Sequence, residues 1–558
     1  MKKVRIFPLV FFAFVSISNA QWSNDPTENN PICLHGGIQL PNQILIDDSG
    51  GAIIVWSDPY YNYIDDIFVQ RINSLGEVDW TDGGVDICSA GGDQNFPRMI
   101  TDGSGGAIIA WEDSRNSFAP DIYVQKINSS GDAQWKQNGV IICTADGRQD
   151  NLQIVSDGSG GAIITWKDGR SGSNNVDIYA QRINSLGEVD WTEDGVNICS
   201  ISDNYILPPQ IVTDDSGGAI IIWSDDRNGI YNTFAQKIDS SGEVKWKING
   251  IQVSTTTGSP VVSDGLGGAI FTTIYDPDGT NPDIYAQKIN SLGEVQWGSE
   301  GIAVCKDTLD QRNPKIVNDD SGGVIITWED ERDGGKIYAQ RISSFGKVQW
   351  TNNGVPVSTA VGDLRSQIVK DGSGGVIVTW EDFRNGSDNT DIYAQKINSS
   401  GEVQWTSGGV PVSIAASNQL FPQLTNDASG GAIITWYDLR NGNDNADIYA
   451  QKVDALGNIG IVGVEKGIEL PLKYSISQNY PNPFNPTTTI GYKLTNRGKV
   501  ILKVYDVLGD EVAILVDQEQ EAGNYSIEFD AEKLSSGVYF YKIVAGRFTQ
   551  TKKMILLR

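Results

Sequence analysis

Six short segments place an aspartate two residues before an arginine: "EDSRN", "KDGRS", "DDRNG", "EDERD", "EDFRN" and "YDLRN", with the arginines at Arg115, Arg170, Arg227, Arg332, Arg384 and Arg440. A carboxylate and a planar guanidinium at this spacing form a two-bond pair that braces a loop or ties it to a neighbour. A set of six such arginines is also a means of holding an acidic glycan. Two equivalent segments break the rule. The first, at 57–63, carries Tyr60, Tyr61 and Tyr63, whose rings can stack on sugars. The second, at 275–283, carries Tyr275 with Asp276, Asp278 and Asp283, and puts Ile274 where the other copies have tryptophan. These three aspartates are oxygen donors of the kind calcium takes, although no glutamate stands at a twelfth position and Pro282 interrupts, so the segment is not an EF-hand. The candidate ligand-binding residues are therefore Tyr60, Tyr61, Tyr63, Tyr275, Asp276 and Asp278. The candidate metal ligands are Asp276, Asp278 and Asp283, with calcium as the ion.

Composition removes several other chemistries. The 558 residues carry a net charge of -28 and a single histidine, His35. No basic surplus is available to neutralise nucleic-acid phosphates, and no multi-histidine centre can be built. The recurrent Gly-Gly turns lack a Walker lysine and join strands, so they read as hairpins and not as phosphate loops. The order of the sialidase Asp-box is not matched by "SDGSGGAIITW". The "LGEVQW" segment faintly resembles the tryptophan repeats of quinoprotein dehydrogenase propellers, but the vicinal cysteine pair of those enzymes is missing. His35 reads as a surface residue near the chain closure. With no acid/base constellation in view, a binding or adhesion module for glycan or protein is favoured over a propeller-type hydrolase or quinoprotein-like enzyme.

The elements that must position these residues repeat. "DGSGGAIIAW" at 102–111 recurs in eight variants whose first turn glycines run from Gly50 to Gly430, a period of about 54. Each copy contains four strand-like segments. In the third copy these are 152–155, 162–166, 177–183 and 188–191, rich in β-branched and aromatic residues and bounded by Gly, Asn, Asp and Ser. Four antiparallel strands at such a period are one blade of a β-propeller. The expectation is an all-β, eight-bladed ring of four-stranded blades, with a small C-terminal β-sandwich. Of the 15 tryptophans, seven end second strands, seven lie in the 188–191 register, and Trp22 supplies the member of that register missing near Ile461. The N-terminal segment thus closes the last blade, and Trp22 should pack on the blade that holds Trp436. Cys33, Cys88, Cys143, Cys199 and Cys305 share one register with Ser254, Ser358 and Ser413, which reads as a small buried position with free thiols.

The ends differ from the repeat. Lys2, Lys3 and Arg5, an apolar run at 7–17 and a small-residue site at 18–20 form a secretory signal, and no later stretch is long enough to be a transmembrane helix. The signal contributes +3 and residues 468–558 a net +1, leaving -32 to residues 21–467. From about 472 the sequence changes to "YSISQNYPNPFNPTTTIGYKL" and later "SSGVYFYKIVAG" and "TKKMILLR". Pro481, Asn482, Pro483, Phe484, Asn485 and Pro486, with Gly537, Lys552 and Lys553, resemble the type A C-terminal sorting domain of the type IX secretion system. The resemblance implies export through the signal peptide, translocation by the type IX machinery of Bacteroidota and neighbouring phyla, and release or attachment at the cell surface. The expected organisation is 1–20 signal peptide, 21–466 propeller, 467–471 linker and 472–558 sorting domain.

Overall fold

The computed structural model describes residues 22–460 and 475–557, apart from 62–63, 173–174, 203–204, 277–278, 480–481, 495–497, 521–522, 532 and 547. The expected signal peptide and the 467–471 linker lie outside these residues. The chain divides into two compact units, Met1–Val462 and Gly463–Arg558. Among the described residues no helix is long and apolar enough to cross a membrane.

The first unit is all-β and propeller-like, a series of four-stranded antiparallel sheets. Counted along the chain, the first sheet is Leu40–Ile46, Ala52–Tyr61, Ile64–Ile72 and Val85–Cys88, and the third is Gln149–Ser156, Ala162–Asp168, Asp177–Ile183 and Val196–Cys199. The eighth combines Gln419–Asn426, Ala432–Asp438 and Asp447–Val453 with Asn30–Cys33 from the other end of the unit. The first strands of consecutive sheets are neighbours, and the first strand of the eighth sheet is a neighbour of Leu40–Ile46.

The Gly-Gly segments are hairpin turns organised by a buried aspartate. In the third sheet Asp157 Oδ1 accepts from Ser159 N and Gly161 N, both at 2.8 Å, while Oδ2 pairs with Arg182 at 2.8 Å. Only glycine fits at 161, because a Cβ there would lie 2.2 Å from Ile183 O.

The fourth strand is not where the alternation pattern places it. It is the four-residue run ending at cysteine or serine, Val196–Cys199 in the third sheet, and not 188–191. Val189 makes a single isolated bridge to Ile183. The segment around Trp191 is instead held by a side chain: Gln181 Oε1 accepts from Trp191 N at 3.1 Å, and its Nε2 donates to Thr192 O at 2.7 Å. The fully buried amide replaces a strand partner for both backbone groups.

These tryptophans form the joints between sheets. Trp80 of the first sheet donates its indole N–H to Ser129 O in a turn of the second, and Trp135, Trp191, Trp297, Trp350 and Trp405 repeat the contact at 3.1–3.4 Å. Trp22 makes the same bond to Ser74 O of the first sheet at 3.0 Å. It is 1% exposed and shares a core with Ile433, Ile448 and Ala450 of the eighth sheet and with Ile54 and Trp56 of the first. The eighth sheet is the one holding Trp436, and burial of one indole removes on the order of 200 Å² from water.

The second unit has a three-stranded sheet (Ser475–Ile476, Thr487–Leu494, Gly523–Asp530) and a four-stranded sheet (Glu511–Gln520, Gly498–Tyr505, Gly537–Ala545, Phe548–Leu556). Ile490, Tyr492, Leu502, Val504, Tyr541 and Met554 fill one core between them. Phe484 seals it at 2% exposure, donating from its backbone N to Ile555 O and accepting from Leu557 N, both at 3.0 Å. Asn482 Oδ1 accepts from Ile555 N at 2.9 Å, and Pro486 O from Ala531 N at 3.0 Å. The motif therefore straps the last strand to the core. Gly537 opens the third strand of the larger sheet, and Lys552 and Lys553 stand on its last strand. Pro481 lies outside the described residues.

Candidate functional site

The six arginines are already occupied. In the third sheet Arg170 donates Nε to Asp168 Oδ1 at 2.8 Å and Nη2 to Asp168 Oδ2 at 2.7 Å. It also reaches Asp194 O at 2.7 Å and Cys143 Sγ, on the last strand of the second sheet, at 3.2 Å. Its guanidinium lies 3.7 Å from the centre of the Tyr179 ring. The fully buried Asp168 accepts the Trp166 indole N–H at 2.7 Å. The pattern recurs at Arg115, Arg227, Arg332, Arg384 and Arg440. Stacked on a ring and bonded through Nε and Nη2 to the aspartate of their own loop, these arginines brace the joints.

All five cysteines are free and buried. Burial pushes every thiol up to about 12, which disfavours the free thiolate.

Strand register corrects the reading of the fifth copy. Thr273 pairs with Tyr285 as Trp166 pairs with Tyr179, so Thr273, and not Ile274, takes the tryptophan position. Ile274 corresponds to Lys167 and Tyr275 to the buried Asp168. Tyr275 is 39% exposed and packs edge-on against Tyr285. Asp276 is exposed and accepts from Asn281 N at 3.3 Å, while Asp283 is buried and its carboxyl is raised by burial. Asp278 and Tyr63 lie outside the described residues; Tyr60 and Tyr61 end the second strand of the first sheet.

One cavity of about 770 Å³ collects residues from the first strands of all eight sheets: Gln43, Arg98, Gln153, Gln210, Pro260, Lys315, Gln367 and Gln423. Apart from Pro260, each is the residue that faces the fourth position of its second strand, as Gln153 faces Thr165 and Gln423 faces Thr435. Ile274, next to Tyr275, also lines it. Three cations line it, Arg98, Lys315 and Arg365, and so does the carboxylate of Glu329. Arg365 is paired with Glu381; burial lowers the pKa of Arg98 and Lys315, opposed by Glu112 and Glu329 respectively.

Just before this register the first strands bulge. Phe96, Asn151, Asn313, Arg365 and Phe421 hold φ between 51° and 57°, a conformation costly for side-chain-bearing residues and found where the surroundings enforce it. At three of them a glutamate of the preceding sheet enforces it. Glu112 accepts from Asn151 N, Glu329 from Arg365 N and Glu381 from Phe421 N, each at 2.7 Å. Burial pushes Glu112 up to about 7 and raises Glu381, which Arg365 pairs at 3.0 Å. The bulges leave Phe96 and Phe421 53% and 42% exposed, with Arg365 over the Phe421 ring at 4.4 Å.

Sequence reasoning missed this cavity. Its signal was present as glutamine recurring in one first-strand register, but the register becomes visible only once the bulges are known.

No curated protein matches the chain in sequence. Among solved structures it is similar to a puromycin hydrolase mutant complexed with PGG, at TM-score 0.39 and 9% identity over 75% of this chain and 61% of that one. It thus spans about three fifths of that relative. An ulvan lyase of a new polysaccharide lyase family gives 0.42 and 10%, over 66% of this chain and 95% of that one. A protein of unknown function from Dyadobacter fermentans gives 0.35 and 9%, over 78% and 98%. At these scores no activity is taken from any of them. Residues 478–557 match the secretion system C-terminal sorting domain, and this type IX tail marks a secreted or cell-surface protein.

Proposed function

We propose that the first unit is an eight-bladed β-propeller closed by its N-terminal strand, and that it is a surface or secreted binding module for a carboxylate- or sulfate-bearing glycan. The Trp22 joint between the eighth and first sheets, made like the internal joints, supports closure. The observation that carries the binding reading is the cavity shared by the eight first strands, where glutamine amides, the exposed ring of Phe421 and three cations outnumber the one lining carboxylate, Glu329. Amides satisfy sugar hydroxyls, aromatic faces stack on pyranose rings, and a guanidinium takes a planar carboxylate or a sulfate in two bonds. In an eight-membered ring Arg98 and Lys315, from the second and sixth sheets, stand on opposite sides, which suits a chain with acidic groups on successive sugars. Glu112, Glu329 and Glu381 hold bulge amides, and this favours binding over hydrolysis.

Calorimetric titration of the chain from Gln21 to Arg558 with oligogalacturonides, sulfated oligosaccharides and neutral oligosaccharides of equal length tests this. Acidic oligomers should bind with a salt-dependent affinity that Arg98→Gln with Lys315→Gln lowers at least ~10-fold, about 1.4 kcal/mol. Equal binding of neutral oligomers, or an unaffected double variant, refutes it. New reducing ends in the same mixtures would replace the binding module by an enzyme.

A further inference from the structure

The first sheet has the buried aspartate but not the arginine. Asp58 occupies the register of Asp168, and Tyr60 that of Arg170. What stands beside Asp58 instead is the only histidine of the chain. Cys33 Sγ, a His35 ring nitrogen and an Asp58 carboxylate oxygen all lie within 4.8 Å of one another, and the thiol is 3.9 Å from Asp58 Oδ2. At the joints of Arg115, Arg170, Arg227 and Arg332 this space, bounded by a cysteine sulfur, an aspartate and a turn carbonyl such as Asn138 O, holds a guanidinium. Here the turn residue is Gly83, and a Cβ on it would lie 1.7 Å from His35 Cε1. The imidazole occupies the space that a side chain on residue 83 would take. Asp58 is 1% exposed, and among the described residues its Oδ1 has no hydrogen-bond donor within bonding distance.

We propose that Cys33, His35 and Asp58 are three ligands of a zinc-type divalent cation. Thiol sulfur, imidazole nitrogen and carboxylate oxygen are the donor classes such an ion takes, and water fills the fourth position of a tetrahedral site. Calcium, which takes oxygen donors, does not suit this set. On binding, the Cys33 thiol releases its proton to solvent as the sulfur–metal bond forms, and the imidazole coordinates through a ring lone pair. Cys33 ends the N-terminal strand of the eighth sheet and His35 follows it, whereas Asp58 belongs to the first sheet. The ion would therefore clip the two sheets together at the joint that the N-terminal strand completes.

Cobalt titration of the chelator-treated chain from Gln21 to Arg558 tests the site. One Co²⁺ per chain should bind with thiolate-to-cobalt charge-transfer absorption, and Zn²⁺ should displace it and raise the thermal midpoint. Cys33→Ser should abolish the band, since serine already occupies this register at Ser254, Ser358 and Ser413. His35→Gln and Asp58→Asn should weaken binding at least ~10-fold. Cys88→Ser, in the same register beside Arg115, should change nothing. Failure of the parent chain to take up stoichiometric cobalt overturns the proposal, and so does a band that survives Cys33→Ser. Should Cys33→Ser not fold, unchanged affinity in His35→Gln overturns it equally. None of these readouts depends on what the eight-strand cavity binds.

Discussion

At each regular joint a single aspartate carboxylate is asked to satisfy an indole, a guanidinium fork and its own removal from water. Asp168 has a side chain with no exposure, and Arg170 retains 21%. Removing one partner of such a pair leaves the other charged and desolvated, which costs about 3–5 kcal/mol when both are fully buried. Because Arg170 is partly solvated, Asp168→Asn should lower unfolding stability by roughly 2–3 kcal/mol in urea titrations followed by tryptophan fluorescence. Asp168→Asn with Arg170→Met should recover part of that loss, since no unpaired guanidinium remains. A single variant within ~0.5 kcal/mol of the parent would show that the pair does not brace the joint. The Asp–Arg spacing was legible because both members lie in one short segment. The Cys33–His35–Asp58 group was not, since its members come from two sheets and its meaning lies in the absence of an arginine from a place that only the fold defines.

The turn glycine that faces the joint tryptophan is the element on which sheet-to-sheet packing closes. Gly131 has φ +84°, and a Cβ there would lie 2.9 Å from the Trp80 ring; Gly76 has φ +87° and would place one 2.8 Å from Trp22 N. Each alanine substitution combines a left-handed residue with overpacking, a cost of roughly 2 kcal/mol or more. Gly76→Ala and Gly131→Ala should therefore lower the urea midpoint to the same extent. A Gly76→Ala effect much smaller than that of Gly131→Ala would mean that the Trp22 joint carries less than an internal one and that the ring is not closed there. The period and the tryptophan registers were legible because they recur along the chain, and the supply of one tryptophan by the N-terminus was legible from the single gap left in its register. The fourth strand was misplaced for a physical reason. Residues 188–191 alternate like a strand, yet their backbone groups are satisfied by the Gln181 amide, and no residue pattern separates that from a ladder. The true strand, Val196–Cys199, is four residues long and too short to show a period. In the fifth copy a shift of one residue hid Thr273 behind Ile274, since neither resembles the tryptophan being sought.

At the scale of the whole molecule the acidic balance and the buried carboxylates act in the same direction. Burial pushes Glu112, Asp66 and Asp363 up to about 7 and Asp391 to about 6. A carboxyl whose pKa is higher folded than unfolded binds more protons in the folded state between the two values. Stability therefore falls as pH rises from about 4 through 7. A second set has the opposite sign. At Asp214, Asp371 and Asp427 burial is outweighed by hydrogen bonds from serine and backbone N–H groups and by neighbouring lysines, and their carboxyls are held low. What they contribute is present above pH ~4 and is lost as pH falls through their folded values. The two sets bracket a maximum on the mildly acid side, and the net -32 of residues 21–467 reinforces it through self-repulsion at higher pH. Scanning calorimetry of the chain from Gln21 to Arg558 should give a higher midpoint at pH 5 than at pH 8. Glu112→Gln keeps the acceptor for Asn151 N and removes the titration, so it should narrow that gap. Glu193→Gln removes the same charge from an exposed position and should narrow it less, which separates burial from net charge. A midpoint that rises from pH 5 to pH 8 would mean that carboxylates held ionised, and not those kept protonated by burial, govern the stability of the first unit.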